Sequence, residues 1–155
     1  MAKKMPHLKE VGLAICDPCV PLSKLSEAFK KIREIFDKYG IIAGLMGHAG
    51  LGLLHPVIYV KVDDEEYWRK VKKAEKEIAE YVLSVGGSIS GEHGVGIVKI
   101  PYAVKSLGSS LDLMRKIKEA FDSEWIMNPG KMGLDYEERD YAIEYAYPKY
   151  WPDER

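Results

Sequence analysis

A chain of 155 residues and 17.5 kDa suits one compact domain and leaves little room for a second. Its 23 basic and 24 acidic side chains leave a net charge of −1, without the excess of Lys and Arg that a nucleic-acid or anionic-membrane surface needs. With 46% hydrophobic and 30% charged residues the chain is expected to fold and stay soluble, but a complete two-domain flavin or nicotinamide enzyme does not fit this length.

Val11 to Cys16 (VGLAIC) reads as a buried strand, and Pro18 and Pro21 bar regular structure after it. From about Leu22 to Tyr39, apolar Leu25, Phe29, Ile32, Phe36 and Tyr39 recur at helical spacing, and Gly40 ends the helix. Ile41 to Met46 and Val57 to Val62 read as the second and third strands. Asp63 and Asp64 open a helix, where acids suit the positive end. Tyr67, Val71, Ala74, Ile78, Val82 and Val85 line its buried face, and Gly86-Gly87 stops it. Ser88-Ile89-Ser90 reads as a short strand and Gly91 to Gly96 as a loop. Leu113, Ile117 and Phe121 mark a third helix, with Ser109 and Asp112 as a capping box.

The order β-α-β-β-α-β is the ferredoxin-like, or split βαβ, pattern over residues 10 to about 90. The expected fold is α+β: an antiparallel sheet with helices on one face, a C-terminal helix and an aromatic tail. The expected domain is 1–133. The tail, 134–155, carries Tyr136, Tyr141, Tyr145, Tyr147, Tyr150 and Trp151 among charges. Such a tail packs on its own domain or on a partner.

Residues 41–60 carry no charge and approach the ~20 residues of a bilayer span. Gly44, Gly47, Gly50, Gly52, His48, His55 and Pro56 interrupt the run, so strand, loop and strand is the reading. The apolar run near the N-terminus is too short for a signal peptide. A cytoplasmic protein without membrane insertion is expected. The absence of Thr and Gln, the single Asn128 and the abundance of Lys and Glu lean toward a thermophile.

Two stretches carry candidate chemistry. In Gly47-His48-Ala49-Gly50-Leu51-Gly52-Leu53-Leu54-His55-Pro56, two His flank a glycine-rich loop between strands that would pair. A hairpin brings both imidazoles to one end of the sheet, and imidazole nitrogen is a good ligand for Zn, Mn or Fe. Packing or turn capping by the two His is the competing reading. In Gly86-Gly87-Ser88-Ile89-Ser90-Gly91-Glu92-His93-Gly94-Val95-Gly96, Glu92 is a candidate third ligand and His93 a candidate general base. A solvated Glu-His pair in a glycine-rich turn competes. Asn128-Pro129-Gly130-Lys131 is by itself only a turn.

Together, GHAG-x-G-x-LHP, GGSISGEHGVG and NPGKM, with the opening CVPLSKL, resemble the C-terminal part of the FAD-linked oxidases. These are relatives of D-lactate dehydrogenase, glycolate oxidase and D-2-hydroxyglutarate dehydrogenase. The resemblance covers nearly all of residues 10 to 133 and omits the tail. It implies the second of two ferredoxin-like subdomains that sit over the flavin. It implies His48, His55 and Glu92 as ligands of a divalent metal, and His93 as the base near substrate and flavin. Asn128 and Lys131 are implied near the cofactor. The metal would bind oxygens of a small 2-hydroxy acid as a Lewis acid, while hydride goes to flavin. FAD would be held by a partner chain, an FAD-binding subunit, and the isolated chain would be inactive. A homo-oligomer stays open.

The family loop usually reads G-D-G-N, where this chain has Leu51 and Leu53, and Val57 replaces a frequent Asn. These departures support a different class of reading, a non-enzymatic metal-binding or assembly module. Cys16-Asp17-Pro18-Cys19 after the first strand also resembles the C-x-x-C of soft-metal chaperones with this fold. A buried thiol pair or a disulfide is the plainer reading of it. An ideal split βαβ sets the β2–β3 turn and the end of the fourth strand at opposite ends of the sheet. Glu92 reaches the two His only if its loop runs back, or if the fourth strand comes later, near Val95 to Ile100.

Overall fold

In a computed structural model the described residues are 10–14, 16–61 and 64–134. They fall into two compact units, one ending at Glu92 and one beginning at His93. The aromatic residues from Tyr136 to Trp151 lie outside the described residues.

The first unit is α+β. Its strands are β1 (Glu10–Ala14), β2 (Ala43–His48) and β3 (Leu53–Lys61), and its helices are α1 (Leu25–Tyr39) and α2 (Glu65–Ser84). The sheet order is β1-β3-β2, antiparallel throughout. Two helices sit in sequence where the split βαβ reading places them. The fourth strand does not form among the described residues. Ser88 and Ser90 make only isolated bridges, to Cys19 and Asp17.

Side chains of a strand alternate between faces, so each register pair shares a face. Leu54, Pro56 and Ile58 of β3 are all buried. α1 and α2 pack on each other, α1 also against β2 and α2 against β3. α1 buries Ala28, Ile32, Ile35 and Phe36, and α2 buries Trp68, Val71, Ala74, Ile78, Ala79 and Val82. The helical periodicity thus marks both faces, although Ala28, Ile35, Trp68 and Ala79 extend them and Phe29 stays 41% exposed. Gly40 closes α1, with its N–H donating to Asp37 O and that of Ile41 to Phe36 O. The Asp64 carboxylate caps α2 by accepting from Tyr67 N at 2.9 Å. Lys38 Nζ, 2.7 Å from Glu77 Oε2, ties α1 to α2 at the surface.

β3 is the central strand, yet it contains Pro56, which has no N–H for a ladder. The register explains how this is tolerated. Ala14 pairs with Val57, and Cys19 bridges Leu53. Between these two pairings lie four residues on the first segment and three on β3, one more on the first than on the second. That is a β-bulge, a place where proline is accommodated. Below it, Leu54 N–H donates to Pro18 O at 2.8 Å and Val20 N–H to Gly52 O at 2.9 Å. The chain thus continues along β3 after β1 ends.

The second unit holds α3 (Ile100–Leu107) and α4 (Ser110–Phe121). The periodicity predicts only the second of these. Val95 to Ile100 does not form a strand. Residues 96–99 turn, and α3 starts with Pro101 in its first turn, where a missing N–H costs nothing. The Ser109–Asp112 capping box is also corrected. Ser109 makes no side-chain cap bond, and Asp112 instead pairs with Arg115 at 3.1 Å. Ser109 has helical backbone angles, so its hydroxyl is not turned toward the orphan amides as an extended N-cap residue's would be.

Candidate metal and substrate site

The β2–β3 connection is short. After His48, residues Ala49–Leu51 form one turn of 3-10 helix and Gly52 leads into β3. Gly52 has φ +70°, and a methyl group there would overlap the carbonyl oxygen of Val20. Only glycine lets the connection pass this close to the preceding segment. In the register His48 faces Leu53 and Met46 faces His55. All four lie on the sheet face opposite Leu54, Pro56 and Ile58. The two imidazole rings meet edge to face with centroids 5.5 Å apart.

Glu92 reaches this face from a different part of the chain. Its Oε1 lies 2.9 Å from His55 Nε2 and its Oε2 lies 3.8 Å from His48 Nε2. One ligand atom of each of the three residues lies within 4.8 Å of the others. The expected conflict of ends does not arise. The bridged segment runs only from Ser88 to Ser90, so Glu92 follows before the chain can travel along the sheet. The His55 side chain is largely buried, at 12% exposure, while those of His48 and Glu92 are open at 58% and 42%.

Two imidazoles and one carboxylate form a donor set suited to divalent ions such as Zn, Mn or Fe. Ligands about 2.1 Å from one ion sit about 3 to 3.5 Å apart, whereas the separations here run from 2.9 Å to at most 4.8 Å, so the set would draw in around an ion. Two adjacent sides are apolar. Leu51 is 69% exposed on the connecting turn, and Met46 is 59% exposed beside His55. Leu53 is buried, covered by Gly91.

The remaining expected residues lie in the second unit. His93, the next residue after Glu92, is exposed. Asn128 and Lys131 are exposed on the turn after α4. Asn128 adopts φ +49°, within a turn organised by buried Asp122. That carboxylate accepts from Ile126 N at 3.1 Å and Met127 N at 3.0 Å, and also from Lys118 Nζ. The Lys118 ammonium, helped by the two amides and opposed by burial, holds Asp122 below the usual carboxylate range. Cys16 and Cys19 are not disulfide-bonded, and Cys19 Sγ lies 3.3 Å from Leu51 O.

The motifs do not single out Asp17. It is fully buried, and its Oδ2 accepts the Glu92 N–H at 2.7 Å. The signal available was a lone acid inside the apolar run from Val11 to Val20, since buried acids are rare without partners.

The first unit is thus an α+β layer with a His-His-Glu cluster on the open face of its sheet. Residues 3–132 match the family described as FAD linked oxidases, C-terminal domain, and the chain belongs to that family. It is 41% identical over 117 residues to glycolate oxidase subunit GlcD of Bacillus subtilis, covering 75% of this chain and 25% of that protein. It is 39% identical over 128 residues to a D-lactate dehydrogenase of Archaeoglobus fulgidus, covering 81% of this chain and 28% of the relative. D-2-hydroxyglutarate dehydrogenase of Haemophilus influenzae is 33% identical over 130 residues, 82% of this chain and 13% of the relative. The chain thus spans about a quarter or less of the length of these relatives. Among the described residues no helix is long and apolar enough to cross a membrane.

Proposed function

We propose that this chain supplies the substrate and metal side of an FAD-dependent oxidoreductase acting on small 2-hydroxy acids. The observation that carries the reading is the convergence of His48, His55 and Glu92 from two loops onto one sheet face. In this reading residues 1–133 act as one functional domain of ferredoxin-like type. Ser88–Ser90 is then the remnant of its fourth strand, bridged to the segment that continues β1. FAD is held by an FAD-binding subunit or domain on another chain.

His48, His55 and Glu92 are the residues that would hold a divalent ion. When bound, the ion supplies Lewis-acid polarisation of a substrate oxygen, and FAD supplies the hydride acceptor. His55, mostly buried, fixes the position of the set, and exposed His48 and Glu92 leave the open side for substrate. His93 takes the hydroxyl proton on a ring nitrogen, the role of an imidazole general base. Asn128 and Lys131, on the turn that Asp122 braces, would contribute to holding the cofactor. Leu51 and Met46 give the substrate an apolar neighbour rather than hydrogen-bond donors.

The test is capture of the tagged chain from its native lysate, scored for flavin absorbance and a co-purifying chain. A stoichiometric flavoprotein that oxidises 2-hydroxy acids only with this chain present is the expected result. A flavoprotein fully active without it, or no flavin in the eluate, overturns the reading and leaves a metal-binding or assembly module.

A further inference from the structure

We propose that Asp17 is the positioning residue of this site, and that the β-bulge before it exists to put it there. This rests on the functional reading above only for what the site binds. The placement of Glu92 by Asp17 stands on geometry alone.

The alternation of β1 sets Gly12 and Ala14 opposite Tyr59 and Val57, on the face that carries His55. Without an extra residue, position 17 would fall on the opposite face, under the helices. The bulge between Ala14 and Cys19 shifts the register by one. Cys19 then bridges Leu53, and two residues earlier Asp17 falls opposite His55. One inserted residue thus moves a carboxylate from the core face to the site face. Bulges are used to re-aim side chains in this way.

Asp17 then grips the approaching loop at two successive amides. Its main-chain oxygen accepts the Gly91 N–H at 2.8 Å, and its Oδ2 accepts the Glu92 N–H at 2.7 Å. A carboxylate accepting from an amide makes a short, charge-assisted bond, stronger than a neutral one. Anchoring the Glu92 main-chain nitrogen narrows where its carboxylate can reach against His55 and His48. Gly91 completes the arrangement, because a methyl group there would overlap Leu53 Cδ1 and come within 3.0 Å of Asp17 O. Asp17 acts on the cluster through the main chain of Glu92. Outer partners that orient a ligand typically contribute 10- to 100-fold to metal affinity.

The experiment compares the full chain with Asp17→Asn and Asp17→Ala by two readouts. The first is hydrogen exchange at the Glu92 amide in metal-free protein. The second is affinity for Co(II) alone, followed by its visible absorbance. Asn keeps the volume and one acceptor oxygen, so a graded response is expected. Glu92 exchange should rise several-fold in Asp17→Asn and at least about tenfold in Asp17→Ala, with α1 amides unchanged. Co(II) affinity should fall in the same order, by about 10- to 100-fold for Ala. Wild-type exchange at Glu92 in Asp17→Ala would overturn the proposal. So would equal losses in both variants that track a fall in melting temperature, the signature of a merely structural acid. If Asp17→Ala does not fold, Asp17→Asn decides by whether the rise is confined to the 91–92 amides. If the wild-type chain and Glu92→Ala bind Co(II) equally weakly, the metal reading falls. The Glu92 amide then decides for Asp17 by itself.

Discussion

The Nε2 of His55 lies 2.9 Å from Oε1 of Glu92, although the two residues are brought together from different loops. His55 is held in β3 and mostly buried, while His48 stands exposed at the end of β2. The two His should therefore contribute unequally to binding a divalent ion. Losing His55 removes the ordered ligand and leaves Glu92 without its nearest neighbour in the cluster. His55→Ala should lower Zn(II) affinity by more than the roughly 10- to 100-fold typical of an outer partner. His48→Ala should have a smaller effect. Competition against a chromophoric chelator measures both. Equal affinity in wild type and His55→Ala would dismantle the three-ligand site.

Gly91 leaves no room for a side chain at this site. A methyl group there meets Leu53 Cδ1 and Asp17 O, and Leu53 is itself buried in the sheet. Overpacking of this kind costs about 1 to 3 kcal/mol. Gly91→Ala should lower unfolding stability by that amount in urea and weaken metal binding at the same time. Gly50 has nothing within 4 Å of the corresponding position. Gly50→Ala should therefore change neither quantity by a comparable amount, and a larger loss there would contradict the packing account.

The long helices of the first unit were legible because their apolar spacing is local. Ile32, Phe36, Val71, Ile78 and Val82 all lie where the 3.6-residue period puts them. The two His could be placed at one end of the sheet for the same reason, since a hairpin is a local structure. What stayed hidden depends on pairing at a distance. Pro56 reads as a break, yet it sits within β3, because a bulge on the facing segment removes the need for its N–H. Asp17 is only a spacer position in the Cys16–Cys19 motif, and its contact with the Glu92 amide appears only in the fold. Helix α3 has eight residues and begins Ile100-Pro101, too short a stretch for periodicity to separate helix from strand.

Glu75 is a buried acid on α2 that belongs to no site. It is 7% exposed, and burial pushes its carboxyl from 4.5 up to about 7, with Lys72 opposing. Between those pH values the folded chain keeps a proton that the unfolded chain has released. Stability should therefore fall as pH rises through the window, by a total on the order of 3 kcal/mol. Glu75→Gln removes the titration and keeps the volume. It should match wild type near pH 4 and be the more stable chain at pH 8. Urea midpoints at the two pH values measure this. Parallel pH profiles for the two chains would show that Glu75 ionises in the fold without penalty.

Apolar residues at helical spacing need not be core, and α2 and α4 separate the two cases. Ile78 of α2 is 1% exposed, whereas Leu113, Ile117 and Phe121 of α4 are 63%, 53% and 86% exposed. Leu111 is the buried residue of α4, two positions from Leu113 and so about 200° around the helix. The Leu113–Phe121 stripe therefore points away from the face that packs. Ile78→Ala should cost about 2 to 5 kcal/mol, through lost burial and the cavity left behind. Ile117→Ala should stay within about 0.5 kcal/mol, as substitutions away from packed features do. Urea unfolding of the two variants, followed by far-UV circular dichroism, makes the comparison. A cost above ~2 kcal/mol for Ile117→Ala would mean that the stripe is covered in the folded chain, because no exposed side chain loses that much on truncation.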